Sequence, residues 1–239
     1  MLTTPSQRHF PYRHPTFGTV KSPRSVSHWQ GSVYYWWWAY LRKNADYIAC
    51  CESGGSGTLS ALFRDFGDVR GDDFKAWWTE GSRAIRLFAE PPAQSVVREL
   101  KGGDAVPDIE ESLTLVFPLT LPKRYLQKRF NELLTKRHTG KRGFQHAKKS
   151  RARYKFEGQP NVPALRQALL VYERRQANPK MKLWEIGNEM PGVIRSQKLR
   201  ASDDQYTKEQ KKKVLAATVS RYLRRAQESI DRVGKGLSP

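Results

Sequence analysis

The chain has 239 residues, 38% hydrophobic and 11% aromatic, with 43 Lys and Arg against 23 Asp and Glu. That length holds one large or two small domains, and that composition can bury a core. No run approaches the roughly 18 consecutive apolar residues of a membrane span, no apolar h-region follows Met1, and two adjacent cysteines without a CxxC spacing give no zinc site.

The charge is unevenly placed. Residues 1–41 hold four basic side chains and no acidic ones; residues 42–118 hold nine and thirteen; residues 119–239 hold thirty and ten. The last segment carries the whole net excess of +20. Such asymmetry points to a localised surface for a polyanion, which is DNA, RNA or an anionic membrane. A membrane-surface helix needs aromatic residues opposite its cations, and Trp184 is the only Trp after residue 118, so no membrane partner is expected.

In chain order, residues 1–28 read as a flexible basic arm, with Pro5, Pro11, Pro15 and Pro23 separating Arg8, Arg13, Lys21 and Arg24. Residues 29–90 read as an aromatic helical module. Ser32 is placed to cap a helix from Val33 to about Cys51, with Trp36, Tyr40 and Tyr47 on one face. SGGSG at 53–57 breaks the chain; a second helix starts near Thr58 and ends at Gly67, and a third runs from Asp73 to Ala89. The Trp36-Trp37-Trp38 run invites base stacking, but such rings more often fill a small core. Cys50 and Cys51 are expected to be buried free thiols. The same module is a candidate surface for a protein partner or for self-association.

Residues 91–121 read as an acidic linker followed by a strand. Leu113, Leu115, Phe117, Leu119 and Leu121 alternate with their neighbours at period two, and Pro118 confines the segment to a sheet edge. Residues 122–239 read as a basic helical nucleic-acid-binding domain. From 123 to 155 there are thirteen cations and one acid, Glu132, a ratio that repels itself unless a polyanion neutralises it. A helix begins at Pro122 with a stripe of Leu126, Phe130, Leu133 and Leu134. Asn161 is placed to cap a helix that ends at Asn178-Pro179; a short helix spans Leu183 to Met190. A long helix runs from about Thr207 to Val233, opened by a Thr207–Gln210 capping box. Sixteen residues, 191–206, stand between the last two helices as a wing-like hairpin or a disordered loop.

The candidate nucleic-acid contacts are Lys123, Arg124, Lys128, Arg129, Lys141, Arg142, Lys148, Lys149, Arg151, Arg153, Lys213, Ser220, Arg221, Arg224 and Arg225. Ser220, Arg221 and Arg224 turn away from the apolar stripe of the last helix, which suits base edges; the others suit phosphates. Enzyme chemistry finds no support in these residues. Asp65, Asp68, Asp72 and Asp73 sit at helix ends and turns, where Asp serves as a cap. His138 and His146 have no neighbouring acid, and Gly140-Lys141 lacks the phosphate-loop spacing. No cofactor or metal is expected.

Two resemblances add to this reading. Trp38-Ala39-Tyr40-Leu41-Arg42-Lys43-Asn44-Ala45-Asp46-Tyr47 resembles the Trp-x-x-Leu-Arg-(Arg/Lys)-Asn-x-x-Tyr core of a small bacterial domain described as transcriptional-regulator-like and frequent on mobile elements. Leu183–Gly187 and Val219–Ala226 resemble the positioning and reading helices of phage and mobile-element helix-turn-helix domains, which join these helices by about three or four residues. Together they imply a duplex-DNA-binding regulator or accessory factor of a mobile element, cytoplasmic and nucleoid-associated. The alternative is a non-catalytic subunit of a ribonucleoprotein or anti-phage complex that grips RNA or single strands. The expected fold is mostly α with a small β component, in two modules, the C-terminal one helix-turn-helix-like.

Overall fold

A computed structural model describes residues 10–90, 99–100, 102–106, 113–138, 150–193 and 195–239. Ten α-helices occupy these residues: α1 (Val26–Gln30), α2 (Val33–Leu41), α3 (Ala45–Glu52), α4 (Ser60–Phe66), α5 (Phe74–Thr79), α6 (Arg83–Phe88), α7 (Lys123–Arg137), α8 (Val162–Ala177), α9 (Leu183–Glu189) and α10 (Gln205–Gly234). The fold is mostly α. No helix among the described residues is long and apolar enough to cross a membrane.

The strand expected over 113–121 is absent. Residues 113–118 are irregular, and Leu121 N–H donates to the Pro118 carbonyl at 3.0 Å to close a turn. A period-two pattern makes a strand only where another strand accepts its hydrogen bonds. Among the described residues there is one isolated antiparallel bridge, Gly18 to Pro23, and no sheet. Val116 and Leu119 are 91% and 87% exposed.

The single helix expected from Val33 to Cys51 is two. α2 ends at Leu41, and Asn44 caps α3 by accepting the Tyr47 N–H at 2.9 Å. A side chain that caps competes with helix continuation, so the apolar period runs on while the axis turns. The helix expected over 73–89 also breaks. Asp73 caps α5 through the Ala76 N–H, then Gly81 and Ser82 adopt positive φ of 52° and 56° before α6. α4 ends at Gly67, φ +65°, as its sequence indicates.

Trp36, Trp37 and Trp38 are all buried, packed with Tyr34, Phe66, Phe74, Trp77, Trp78 and Phe88. They fill the core and offer no stacking platform. Cys50 and Cys51 are buried and free. Residues 10–28 do not run loose: Phe10, Tyr12 and Phe17 pack against the same core, and Tyr12 Oη donates to the Gly158 carbonyl at 2.6 Å. Aromatic rings between the prolines supply the burial that a polar tail lacks.

That core also holds Phe156, Leu165, Ala168, Leu169, Ala226, Ile230 and Val233, so residues on both sides of the expected 29–90 and 122–239 boundary share it. Tyr40 Oη donates to the Leu165 carbonyl at 2.9 Å, and Lys43 pairs with Glu173 at 2.7 Å, fastening α2 and its following turn to α8. A second, smaller core joins α8, α9 and α10 through Val171, Ile186, Val193, Leu215 and Val219. Tyr222 on α10 touches both.

Candidate nucleic-acid interface

α10 positions the densest group of expected contacts. Its buried side carries Leu215, Val219, Ala226, Ile230 and Val233. At about 100° per residue, Lys213, Ser220 and Arg224 fall within about 40° of one another, and Arg221 and Arg225 widen the sector to about 140°. All five are exposed. Tyr206, 74% exposed, continues the Lys213–Arg224 line toward the helix start. The line from Tyr206 to Arg224 is about 27 Å long at 1.5 Å per residue.

Internal pairing leaves most of this charge available. Arg224 approaches Glu228 only at 3.8 Å, one turn away on the same exposed face. Such a pair is worth about 0.3–0.5 kcal/mol and yields readily to a phosphate. Arg221 donates to Thr218 Oγ1 at 3.3 Å on its own helix. Among the described residues no carboxylate pairs with Lys213 or Arg225.

The start of α10 is fixed in more detail than its sequence indicates. The helix begins at Gln205, two residues before the expected capping box, with Asp204 as the cap accepting the Thr207 N–H at 2.6 Å. That bond holds the Asp204 carboxyl below its usual range. The described residues of 191–204 form neither a hairpin nor a loose loop. Val193 is fully buried in the second core, a short 3-10 turn spans Arg195–Gln197, and Leu199 N–H donates to Asn188 Oδ1 at 2.8 Å. Lys211 then donates to both oxygens of Asp203 at 2.7 Å and to the Lys198 carbonyl at 3.3 Å. The pair is largely covered, with side chains 14% and 9% exposed, and the Lys211 bond lowers the Asp203 pKa. Lys212 pairs with Glu209 at 2.7 Å, which lowers the Glu209 pKa, and lies over the Trp184 ring at 5.1 Å. α9 is held against α10 by Gly187, where a Cβ would come within 3.1 Å of Leu215 Cβ and 3.2 Å of Val219 Cγ2.

The other expected contacts lie elsewhere. Lys123, Arg124, Lys128 and Arg129 are exposed on α7, which has no buried residue. Its stripe meets Phe117 through Phe130, ring centres 5.9 Å apart, and Arg129 pairs with Glu132 at 2.8 Å. Lys141, Arg142, Lys148 and Lys149 lie outside the described residues. Arg151 is exposed, and its N–H donates to Glu90 Oε2 at 2.7 Å. Arg153 pairs with Asp65 at 2.6 Å, beside the bond from Tyr154 Oη to the same carboxylate, so part of its charge is already matched. The structure therefore gathers the five α10 residues on one helix face, sets four on α7, and places Arg151 and Arg153 beside Glu90 and Asp65.

The four Asp residues of the 65–73 segment are each engaged: Asp65 as above, Asp68 by Arg70, Asp72 by Arg42 and Asp73 by the α5 start. Among the described residues no three His, Cys, Asp or Glu side chains gather as metal ligands. No family model, no curated protein and no solved structure matches this chain.

Proposed function

We propose that this protein binds duplex DNA through the exposed face of α10, with α7 supplying further phosphate contacts. The observation that carries the reading is the division of α10, from Leu215 onward, into a packed side and a cationic outer side. A helix buried in two cores along one face holds Lys213, Ser220, Arg221, Arg224 and Arg225 in fixed register. The major groove, about 12 Å wide, admits such a helix. Lys213 and Arg225 then contact phosphates, and Ser220, Arg221 and Arg224 face base edges. An Arg that grips guanine O6 and N7 contributes about 1–3 kcal/mol of discrimination.

On this reading α8, α9 and α10 act as a helix-turn-helix unit whose connection has grown into the pinned 191–204 segment. The role is that of a non-enzymatic, nucleoid-associated regulator or accessory factor of a bacterial mobile element. A protein partner of the N-terminal half meets its outer residues, because the Trp36–Trp38 rings are buried.

Fluorescence anisotropy with labelled duplex, single-stranded DNA and RNA, each at 50 and 200 mM salt, tests it. Six to ten phosphate contacts predict a loss of about 10³–10⁵ in duplex affinity between those concentrations. Preference for RNA or single strands would move the protein to the ribonucleoprotein class, and no binding at 50 mM would end the reading.

A further inference from the structure

A second cationic group lies far from α10 in sequence. Arg13, Thr16, Arg24 and His28 meet on the outside of the N-terminal segment. Arg24 Nη1 donates to His28 Nε2 at 2.6 Å and also to Thr16 Oγ1. Arg13 Nη2 stands 3.5 Å from the same Nε2, and Thr16 Oγ1 stands 3.1 Å from it. Guanidinium groups only donate, so Nε2 must present a lone pair and His28 must be neutral there. An imidazole nitrogen has one lone pair in the ring plane, yet two guanidinium groups and a hydroxyl crowd around it.

Among the described residues no carboxylate neutralises the two arginines. Residues 1–41 contain no Asp or Glu. Withdrawal from water, then the charges of Arg24 and Arg13, lower the His28 pKa. Among the described residues, the charged groups that face His28 are those two arginines.

The aromatic core holds this cluster in place. Ser32 Oγ donates to the Arg13 carbonyl at 2.9 Å, and Arg24 N–H donates to the Phe17 carbonyl at 2.9 Å. The Phe17 ring lies against Trp29 and Phe74 at 5.5 and 6.0 Å. The Gly18–Pro23 bridge closes the turn between, where a Cβ on Gly18 would meet the Ser22 carbonyl at 2.3 Å. Like charges converge here on a fixed scaffold.

We propose that Arg13, Thr16, Arg24 and His28 form a phosphate-binding site, taking a free phosphate or a phosphodiester of a nucleic-acid backbone. A phosphate oxygen accepts several hydrogen bonds, and guanidinium groups match phosphate geometry two bonds at a time. The anion draws both arginines off Nε2. His28 then takes a proton from water and becomes another donor, so binding carries proton uptake and weakens as pH rises through the bound-state His28 pKa.

The test follows the His28 ring signals by NMR across pH in phosphate-free buffer, on the full chain. Three samples are compared: no addition, inorganic phosphate, and a short duplex. The free protein should titrate below the ordinary histidine value of about 6.5. A bound phosphate should raise the midpoint by about one unit, equivalent to a tenfold coupling between proton and anion. A shift with inorganic phosphate assigns the site to free phosphate; a shift with duplex alone assigns it to the backbone. Arg24→Ala should abolish the shift while the near-ultraviolet circular dichroism of the Trp core is unchanged. A midpoint unmoved by both additions, or a shift that survives Arg24→Ala, overturns the site. The phosphate arm does not depend on α10, and loss of duplex binding in Lys213→Ala/Arg225→Ala leaves it readable.

Discussion

The Asn44 side chain reaches from the start of α3 to the Ile230 carbonyl near the end of α10, donating a hydrogen bond at 3.0 Å. Its oxygen meanwhile accepts the Tyr47 N–H and caps α3. One buried amide thus ties the aromatic half to the last helix. Gly234 leaves room for it, since a Cβ there would lie 2.3 Å from Asn44 Nδ2. Asn44→Ala removes a cap worth about 1 kcal/mol and a second hydrogen bond to a carbonyl that keeps its own helix partner, worth about 0.5–1.5 kcal/mol, so the expected loss is about 1.5–2.5 kcal/mol. Urea unfolding measures it, and Trp fluorescence and far-ultraviolet dichroism should trace one coincident transition. Two separated transitions would show that the halves unfold independently.

Gly187 is a packing requirement of the α9–α10 contact. Gly187→Val is expected to cost about 1–3 kcal/mol by overpacking. Gly187→Ala should cost less, because about 1 kcal/mol of regained helix propensity offsets part of the clash. Thermal melts of the two variants check the order.

The Asp203–Lys211 pair gives the 191–204 segment a pH dependence of known sign. The folded-state pKa of Asp203 is depressed, so its stabilising effect is fully present above the unfolded carboxylate value of about 4. It is lost as pH falls through the lower folded-state value. The gap in urea midpoint between the native chain and Asp203→Asn should therefore be wide at neutral pH and close below about pH 4. A gap that stays constant down to about pH 2 would show that the charge on Asp203 is not what matters.

On α10, phosphate and base roles separate by salt and sequence. Lys213→Ala and Arg225→Ala should each flatten the slope of log affinity against log salt by about 0.9 and weaken all duplexes alike. Arg224→Ala should weaken a preferred duplex by about 1–3 kcal/mol more than bulk DNA. Equal loss on every sequence would leave Arg224 a phosphate contact.

α7 has no buried residue, whereas α10 has buried residues on one side from Leu215 to Gly234. Amide protons of α7 should exchange through local opening at a small fraction of the global unfolding free energy, and the central amides of α10 only near the full value. Hydrogen exchange followed residue by residue decides this.

Helices whose apolar stripe and caps agree were legible in the sequence: α8 starts at Asn161 and stops at Asn178, and α9 begins at Leu183, all as their sequences indicate. Breaks inside an uninterrupted apolar period were not. Arg42-Lys43-Asn44 interrupts nothing in the hydrophobic pattern, and only the capping chemistry of Asn44 announces the turn. The 113–121 alternation has the local signature of a strand and lacks a neighbour to pair with, a fact that no local reading contains. At the proposed interface, spacing alone was enough to put Lys213, Ser220, Arg221, Arg224 and Arg225 on one face. The Arg13–Arg24–His28 convergence depends on the Gly18–Pro23 turn, which brings residues fifteen apart into contact.

Because α10 completes both cores, everything it covers is synthesised before its cover. A nascent chain that has reached residue 204 holds the Tyr40–Leu41 side of α2 and the inner side of α8 without their partner helix. Those faces are aromatic and aliphatic, and they stay open to the wrong neighbours until Ala226, Ile230 and Val233 arrive. Both cores therefore close only once α10 has been made.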